Sequence, residues 1–231
     1  MKLASNVAML QLEMWGSLIY PTLMWGGGHL VLFDAGFPGQ AEALKEAIRA
    51  EGVNPEDLTE IILTHQDIDH IGCVQDMKKT APRARVLAHY LEAPYISKQK
   101  TPLKLAAMLE NYANLSDEQK AWCNQMSDAY RMIKIKVDET FEDGEIMEFC
   151  GGIEVIHTPG HTPGHMCLYL RESKILVGGD AVNISEDGKL APPNPRNTPD
   201  MEQAMKSFEK IKALDVKTVV AYHGGDLKMG E

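Results

Sequence analysis

Four short apolar runs in this chain each lead into residues that can bind a metal or carry a proton. Glu60-Ile61-Ile62-Leu63 runs into Thr64-His65, and Ile153-Glu154-Val155-Ile156 precedes a Pro-Gly-His loop. Lys174-Ile175-Leu176-Val177 ends at Gly178-Gly179-Asp180, and Val219-Val220-Ala221-Tyr222 delivers His223. Runs of this length and apolarity read as strands buried on both faces. The carboxyl ends of such strands are where α/β sheets build their sites. A fifth run, Leu30-Val31-Leu32-Phe33, stops at Asp34-Ala35-Gly36. It echoes Val177-Gly178-Gly179-Asp180-Ala181, which points to two similar halves. Residues 7–14 and 85–89 complete the strand reading.

Helical patterns separate these strands. Residues 40–51 place Leu44 and Ile48 on one face, and Gly52 ends the pattern before Asn54-Pro55 turns the chain. The last helix is expected to take Thr198 as its cap, with Pro199 at the first helical position and Asp200 at the positive end. Met201, Ala204, Met205, Phe208 and Ile211 would form its buried face. Residues 92–136 read as a mostly helical insertion, packed through Met108, Leu109, Tyr112, Trp122, Met126, Tyr130 and Met132. Gly26-Gly27-Gly28 has no Lys-Ser/Thr behind it and reads as a hairpin turn rather than a phosphate loop. At 231 residues the chain suits one α/β domain, residues 1–231, carrying that insertion.

Charge and cysteine usage narrow the partners. The chain has 23 Lys and Arg against 33 Asp and Glu, a net charge of −10, which repels polyanions. A small-molecule substrate is expected, and nucleic acid is not. No apolar run approaches the roughly 20 residues needed to span a bilayer, so no membrane association is expected. The first residues lack a long apolar core followed by a small-residue cleavage site. Cys73, Cys123, Cys150 and Cys167 form no C-x-x-C pair, which favours reduced thiols and a cytoplasmic location. An acidic enzyme of this kind is compatible with a homodimer, although no residue locates an interface.

The segment Thr64-His65-Gln66-Asp67-Ile68-Asp69-His70-Ile71-Gly72 holds four ligand-type residues within six positions, directly after a buried strand. Imidazole nitrogen and carboxylate oxygen together suit zinc, iron or manganese. A second segment, Thr158-Pro159-Gly160-His161-Thr162-Pro163-Gly164-His165, fixes His161 in a tight loop through two Pro-Gly pairs. Gly178-Gly179-Asp180 and Tyr222-His223-Gly224-Gly225 are the third and fourth.

Taken in this order, T-H-x-D-x-D-H-I-G, T-P-G-H-T-P-G-H, G-G-D and H-G-G resemble the metallo-β-lactamase-fold hydrolase superfamily, in its lactonase and glyoxalase-II-like branch. The resemblance covers essentially the whole chain. It implies a four-layer αβ/βα sandwich of two similar halves, with a binuclear metal site at one edge of the paired sheets. By the superfamily pattern, His65, Asp67 and His161 would serve the first metal. Asp69, His70 and His223 would serve the second, and Asp180 would bridge the two. The pattern has histidine where this chain has Asp67. The superfamily's flavo-diiron members also carry a carboxylate there, so two divalent ions are expected, zinc first, with iron or manganese admitted by Asp67.

The resemblance implies a hydrolase in which a metal-bound hydroxide attacks an ester, lactone or thioester carbonyl. Asp69 is the expected catalytic residue, orienting the nucleophile and shuttling its proton. Quorum-signal lactonases carry a tyrosine three residues after the bridging aspartate; here that position is Asn183. Tyr20 or Tyr222 would have to supply the missing hydroxyl, and Met24 and Trp25 would suit an apolar substrate portion. The alternative is a non-haem iron dioxygenase, similar to persulfide dioxygenases on this fold, using His65, His161 and Asp180 as a two-His, one-carboxylate set. His165 reads as a supporting residue, and Asp34 as either a brace for a ligand loop or a turn acceptor.

Overall fold

The computed structural model describes residues 1–230. The first half contributes β1 (Lys2–Ala4), β2 (Val7–Met9), β3 (Leu12–Met14), β4 (Ser17–Ile19), β5 (Thr22–Gly26), β6 (His29–Phe33), β7 (Glu60–Leu63), β8 (Arg85–His89) and β9 (Glu139–Phe141). Seven of these form one sheet in the order β1-β2-β5-β6-β7-β8-β9, while β3 and β4 pair as a separate hairpin. Pairing is parallel from β6 through β9. The second half contributes β10 (Ile146–Met147), β11 (Ile153–His157), β12 (Met166–Leu170), β13 (Ile175–Val177), β14 (Asn183–Ile184), β15 (Leu190–Ala191), β16 (Thr218–Ala221) and β17 (Gly225–Lys228). Its sheet runs β10-β11-β12-β13-β16-β17, with β14 and β15 as a small ribbon apart.

The two-residue period of a strand then sets the layers. In β6, Val31 and Phe33 join a core shared with Ile62, Leu87, Val155, Leu168, Ile175, Val177 and Val220, which is the seam between the two sheets. Leu30 and Leu32 point the other way, onto a core with Leu44, Ile48, Val74 and Met77. Those residues belong to α1 (Ala41–Ala50) and α3 (Val74–Thr80), with the one-turn α2 (Ile68–Ile71) between them. In the second sheet, Ile156, Cys167, Leu176 and Val219 face outward onto Phe208 and Ile211 of the last helix. Helix, sheet, sheet and helix therefore stack in four layers. The 7–14 run divides into β2 and β3, because after Met9 the chain leaves the main sheet for the hairpin.

Between β8 and β9 lie α4 (Ala93–Ile96), α5 (Leu103–Glu110) and α6 (Asp117–Met132). A capping box fixes where α6 begins: Ser116 Oγ accepts from Gln119 N at 3.2 Å, and Gln119 Oε1 accepts from Ser116 N at 2.9 Å. Its inner face is Cys123, Met126 and Tyr130, at i, i+3 and i+7. Trp122 and Met132 fall off that stripe and stand exposed, as does Leu109 on α5. They are not the packing residues that composition alone suggests.

The last helix, α7 (Met201–Lys212), starts two residues later than the Thr198-Pro199 reading. Asp200 is its cap, accepting from Gln203 N at 2.9 Å, while Thr198 Oγ1 donates to Asn194 O. Ala204, Ser207, Phe208 and Ile211 form the buried stripe, and Met205 lies outside it. No described helix is long and apolar enough to cross a membrane.

Candidate metal centre

Strand ends from both sheets bring the ligand-type residues to one edge. The loop after β7 and the turn of α2 supply His65, Asp67, Asp69 and His70; the loop after β11 supplies His161; the loop after β13 supplies Asp180; and the end of β16 supplies His223. One ligand atom from each of His65, Asp67, His161 and Asp180 lies within 4.8 Å of the others, and Asp69, His70 and His223 form a second such group. In the first group Asp67 Oδ2 stands 3.2 Å from His65 Nε2 and 3.0 Å from His161 Nε2. In the second, Asp69 Oδ2 stands 3.6 Å from His70 Nε2 and 3.2 Å from His223 Nε2.

Asp180 joins the two groups. Its Oδ2 is 3.4 Å from His161 Nε2, and its Oδ1 is 3.3 Å from both His70 Nε2 and His223 Nε2. His65 Nε2, His70 Nε2 and Asp180 Oδ1 are buried without a hydrogen-bond partner. Orphaned polar atoms of this kind are costly, and cations held by the two groups would give them partners. The residues therefore fit divalent metal.

A rigid shell fixes these side chains. Asp34 is fully buried, and its Oδ2 accepts from His70 Nδ1 at 2.8 Å and from Thr64 Oγ1 at 2.8 Å. Thr64 Oγ1 in turn lies 3.0 Å from His65 Nδ1. Protons held on both Nδ1 atoms leave both Nε2 lone pairs facing the site. Asp34 sits at φ +59°, the left-handed region, which brings its carboxylate beneath the ligand loop. It is thus a brace and not merely a turn acceptor. His165 supports Asp180: its Nε2 accepts from Asp180 N at 3.0 Å, while its Nδ1 meets Thr158 Oγ1 at 2.8 Å.

Glu92 clamps the two ligand loops together. Its Oε2 accepts from Gln66 N at 3.0 Å and Gln66 Nε2 at 2.9 Å, and its Oε1 accepts from Gly164 N at 2.8 Å. Burial raises its pKa, and these bonds pull the other way. Gln66 Oε1 also accepts from Leu103 N at 2.8 Å, which docks the start of α5 against the ligand loop. Lys104 follows, and its Nζ donates to Asp67 Oδ2 and lies 3.3 Å from His161 Nε2. Sequence reasoning missed Glu92, Gln66 and Lys104, since all three act across long chain separations.

Electrostatics favour cations here. Burial alone would raise the Asp67 and Asp180 pKa values, yet the surrounding histidines hold both well below the usual carboxylate range. Burial lowers the His65 pKa, with His70 adding repulsion. His70 is raised well above its ordinary value despite burial, by Asp34, Asp69 and Asp180. Asp180 and Asp69 likewise outweigh burial at His223 and lift it to about 10. Protons drawn this strongly to a buried acidic centre are what a metal displaces.

The mouth is a cavity of about 140 Å³ lined by His161, Asp180, His223, Asn183, Asn194 and Asn197. Its asparagines make it polar. Met24 belongs instead to the seam between the sheets, and Trp25 packs beside the helix-side core. The Tyr222 hydroxyl donates to Asp69 O at 2.6 Å and accepts from Gly36 N at 3.2 Å, so it braces the ligand turn and is not free for substrate. The Tyr20 ring lies against Gly225.

Comparison with known proteins identifies the family and the fold. The family model described as the metallo-beta-lactamase superfamily matches residues 16–223. The chain belongs to the metallo-beta-lactamase superfamily. It is 29% identical over 209 residues to the "Probable metallo-hydrolase YflN" of Bacillus subtilis, covering 84% of this chain and 75% of that protein. It is 26% identical over 215 residues to the hydroxyacylglutathione hydrolase GloC of Haemophilus influenzae, covering 91% and 87%. Among solved structures, a metallo-beta-lactamase family protein of Thermus thermophilus matches with a TM-score of 0.76 at 22% identity, over 98% of this chain and 76% of that one. This superfamily member has the sandwich fold of that neighbour, with a metal-type donor cluster at the sheet edge.

Proposed function

We propose that the chain is a metal-dependent hydrolase of an ester, lactone or thioester carbonyl. The observation that carries this reading is the division of the Asp180 carboxylate between two donor groups. His65, Asp67 and His161 form one subsite, Asp69, His70 and His223 the other, and Asp180 is shared. Mixed nitrogen and oxygen donors suit zinc, and the extra carboxylate of Asp67 admits iron or manganese. A divalent ion held there supplies Lewis acidity and lowers the pKa of bound water from about 15.7 to about 7.

The chain's own residues do the rest. Asp69 takes the proton of the attacking water and passes it to the leaving group; its side chain is mostly buried, beside His70 and His223. Asn183, Asn194 and Asn197 bond polar groups of a small substrate. The likeness to a hydroxyacylglutathione hydrolase supports a thioester. Asp67 stands among His65, His161 and Asp180, so that face is not the bare three-ligand set of an iron oxygenase, and hydrolysis is preferred. Four free, buried cysteines support a reducing, cytoplasmic setting.

The test is hydrolysis of an S-acylglutathione and of a nitrophenyl ester by the zinc-loaded protein. Asp69→Asn should lower kcat by about 10²–10⁴-fold, the range for loss of a proton-transfer group. Chelator-insensitive turnover, or full activity in Asp69→Asn, would overturn the reading.

A further inference from the structure

The two subsites differ in one respect that the ligand motifs do not reveal. Lys104 enters the first from the helical insertion. Its ammonium donates to Asp67 Oδ2 and lies 3.3 Å from His161 Nε2, the same two atoms that form the donor set with His65. The reach is built in. Leu103 N is bonded to Gln66 Oε1 at 2.8 Å, and Tyr130 OH on α6 donates to Gln66 O at 3.3 Å. The residue between His65 and Asp67 therefore sets where α5 starts, and Lys104 is one residue further on. Its side chain is 38% exposed, yet its ammonium is paired with the nearly buried Asp67 carboxylate. No comparable cation reaches Asp69, His70 or His223 among the described residues; their ion-pair partners are one another, Asp34 and Asp180.

Charge balance points the same way. Asp67, Asp69 and Asp180 bring three negative charges to the centre. The ammonium offsets the Asp67 carboxylate without a metal ion at the first subsite. Where the superfamily pattern has a neutral histidine, this chain has a carboxylate and a lysine to neutralise it.

We propose that Lys104 is a resident cation of the first subsite, competing with metal for Asp67 and His161, so that the chain holds one divalent ion tightly at the Asp69–His70–His223 subsite. This rests on the metal-centre reading above. A second ion enters only by displacing the ammonium.

The experiment is metal content by mass spectrometry after zinc chloride loading and dialysis against a zinc-buffering chelator. It compares wild type, Lys104→Met and Lys104→Arg, with zinc affinity by chelator competition. Wild type and Lys104→Arg should retain one zinc per chain, and Lys104→Met two. The weaker affinity should tighten by about 10–100-fold in Lys104→Met, the cost of breaking a charge-assisted bond. Two equally tight ions in wild type, or one ion in all three proteins, overturns the proposal and leaves the hydrolase reading standing. No zinc in any of the three overturns both.

Discussion

Replacing Glu92 with glutamine isolates the clamp between the two ligand loops. The wild-type carboxylate accepts three hydrogen bonds, two from Gln66 and one from Gly164 N. A glutamine amide keeps the Gln66 pair by turning its oxygen toward them. Its NH₂ then meets the Gly164 N–H, and two donors face each other in a buried space. Losing one charge-assisted bond and orphaning a donor costs about 2–3 kcal/mol. For a chain of this size each kcal/mol moves Tm by about 2–4 °C, so the midpoint should fall by about 4–12 °C. Thermal denaturation followed by circular dichroism reads this directly. Hydrogen exchange should also quicken at Gly164 and less at Gln66. An unchanged Tm with unchanged exchange at Gly164 would refute the clamp.

Three further expectations rest on separate contacts. Asp34→Asn removes the acceptor for His70 Nδ1 and Thr64 Oγ1. Zinc affinity should fall by about 10–100-fold in chelator competition, and undiminished affinity would show that the histidines orient without it. Gly179→Ala places a Cβ 2.6 Å from His165 Nε2 and 3.1 Å from Thr64 Oγ1 at φ +51°. It should displace His165 from Asp180 N, lowering both Tm and zinc retention; a variant with wild-type values of both would count against that packing. His89 stacks on His157 at 4.3 Å, and burial, followed by the His157 charge, pushes its pKa down to about 4. Unfolding returns it to about 6.5, so the unfolded chain binds the extra proton and stability falls as pH drops from about 6.5 to about 4. In His89→Gln the urea midpoint should vary less over that window, and an unaltered slope would rule His89 out as a contributor.

Local chemistry explains what the sequence reveals about this fold. The buried strands were legible because Leu30–Phe33, Ile61–Leu63 and Ile175–Val177 are apolar on both faces, as strands between two packed layers must be. The ligand-type residues were legible because His65 to His70 crowd into one turn and His161 lies between two Pro-Gly pairs. Helix details were less so. Thr198 and Asp200 are both good caps, and only the hydrogen bond from Gln203 N decides between them. Trp122, Met132 and Met205 are apolar but miss the stripe, since hydrophobicity without phase does not specify a face. Lys104 and Glu92 carried no signal at all. A lysine near the start of an inserted helix looks like a solvated charge until Gln66 fixes that helix against the ligand loop.

The metal centre is tested most directly by anomalous diffraction above the zinc edge, from crystals grown with zinc chloride. The expected result is a peak about 2.0–2.2 Å from Asp69 Oδ2, His70 Nε2 and His223 Nε2, with Asp180 Oδ1 beside it, the ordinary reach of zinc to nitrogen and carboxylate oxygen. A crystal with no peak among those atoms, or with zinc bound only elsewhere, contradicts the assignment.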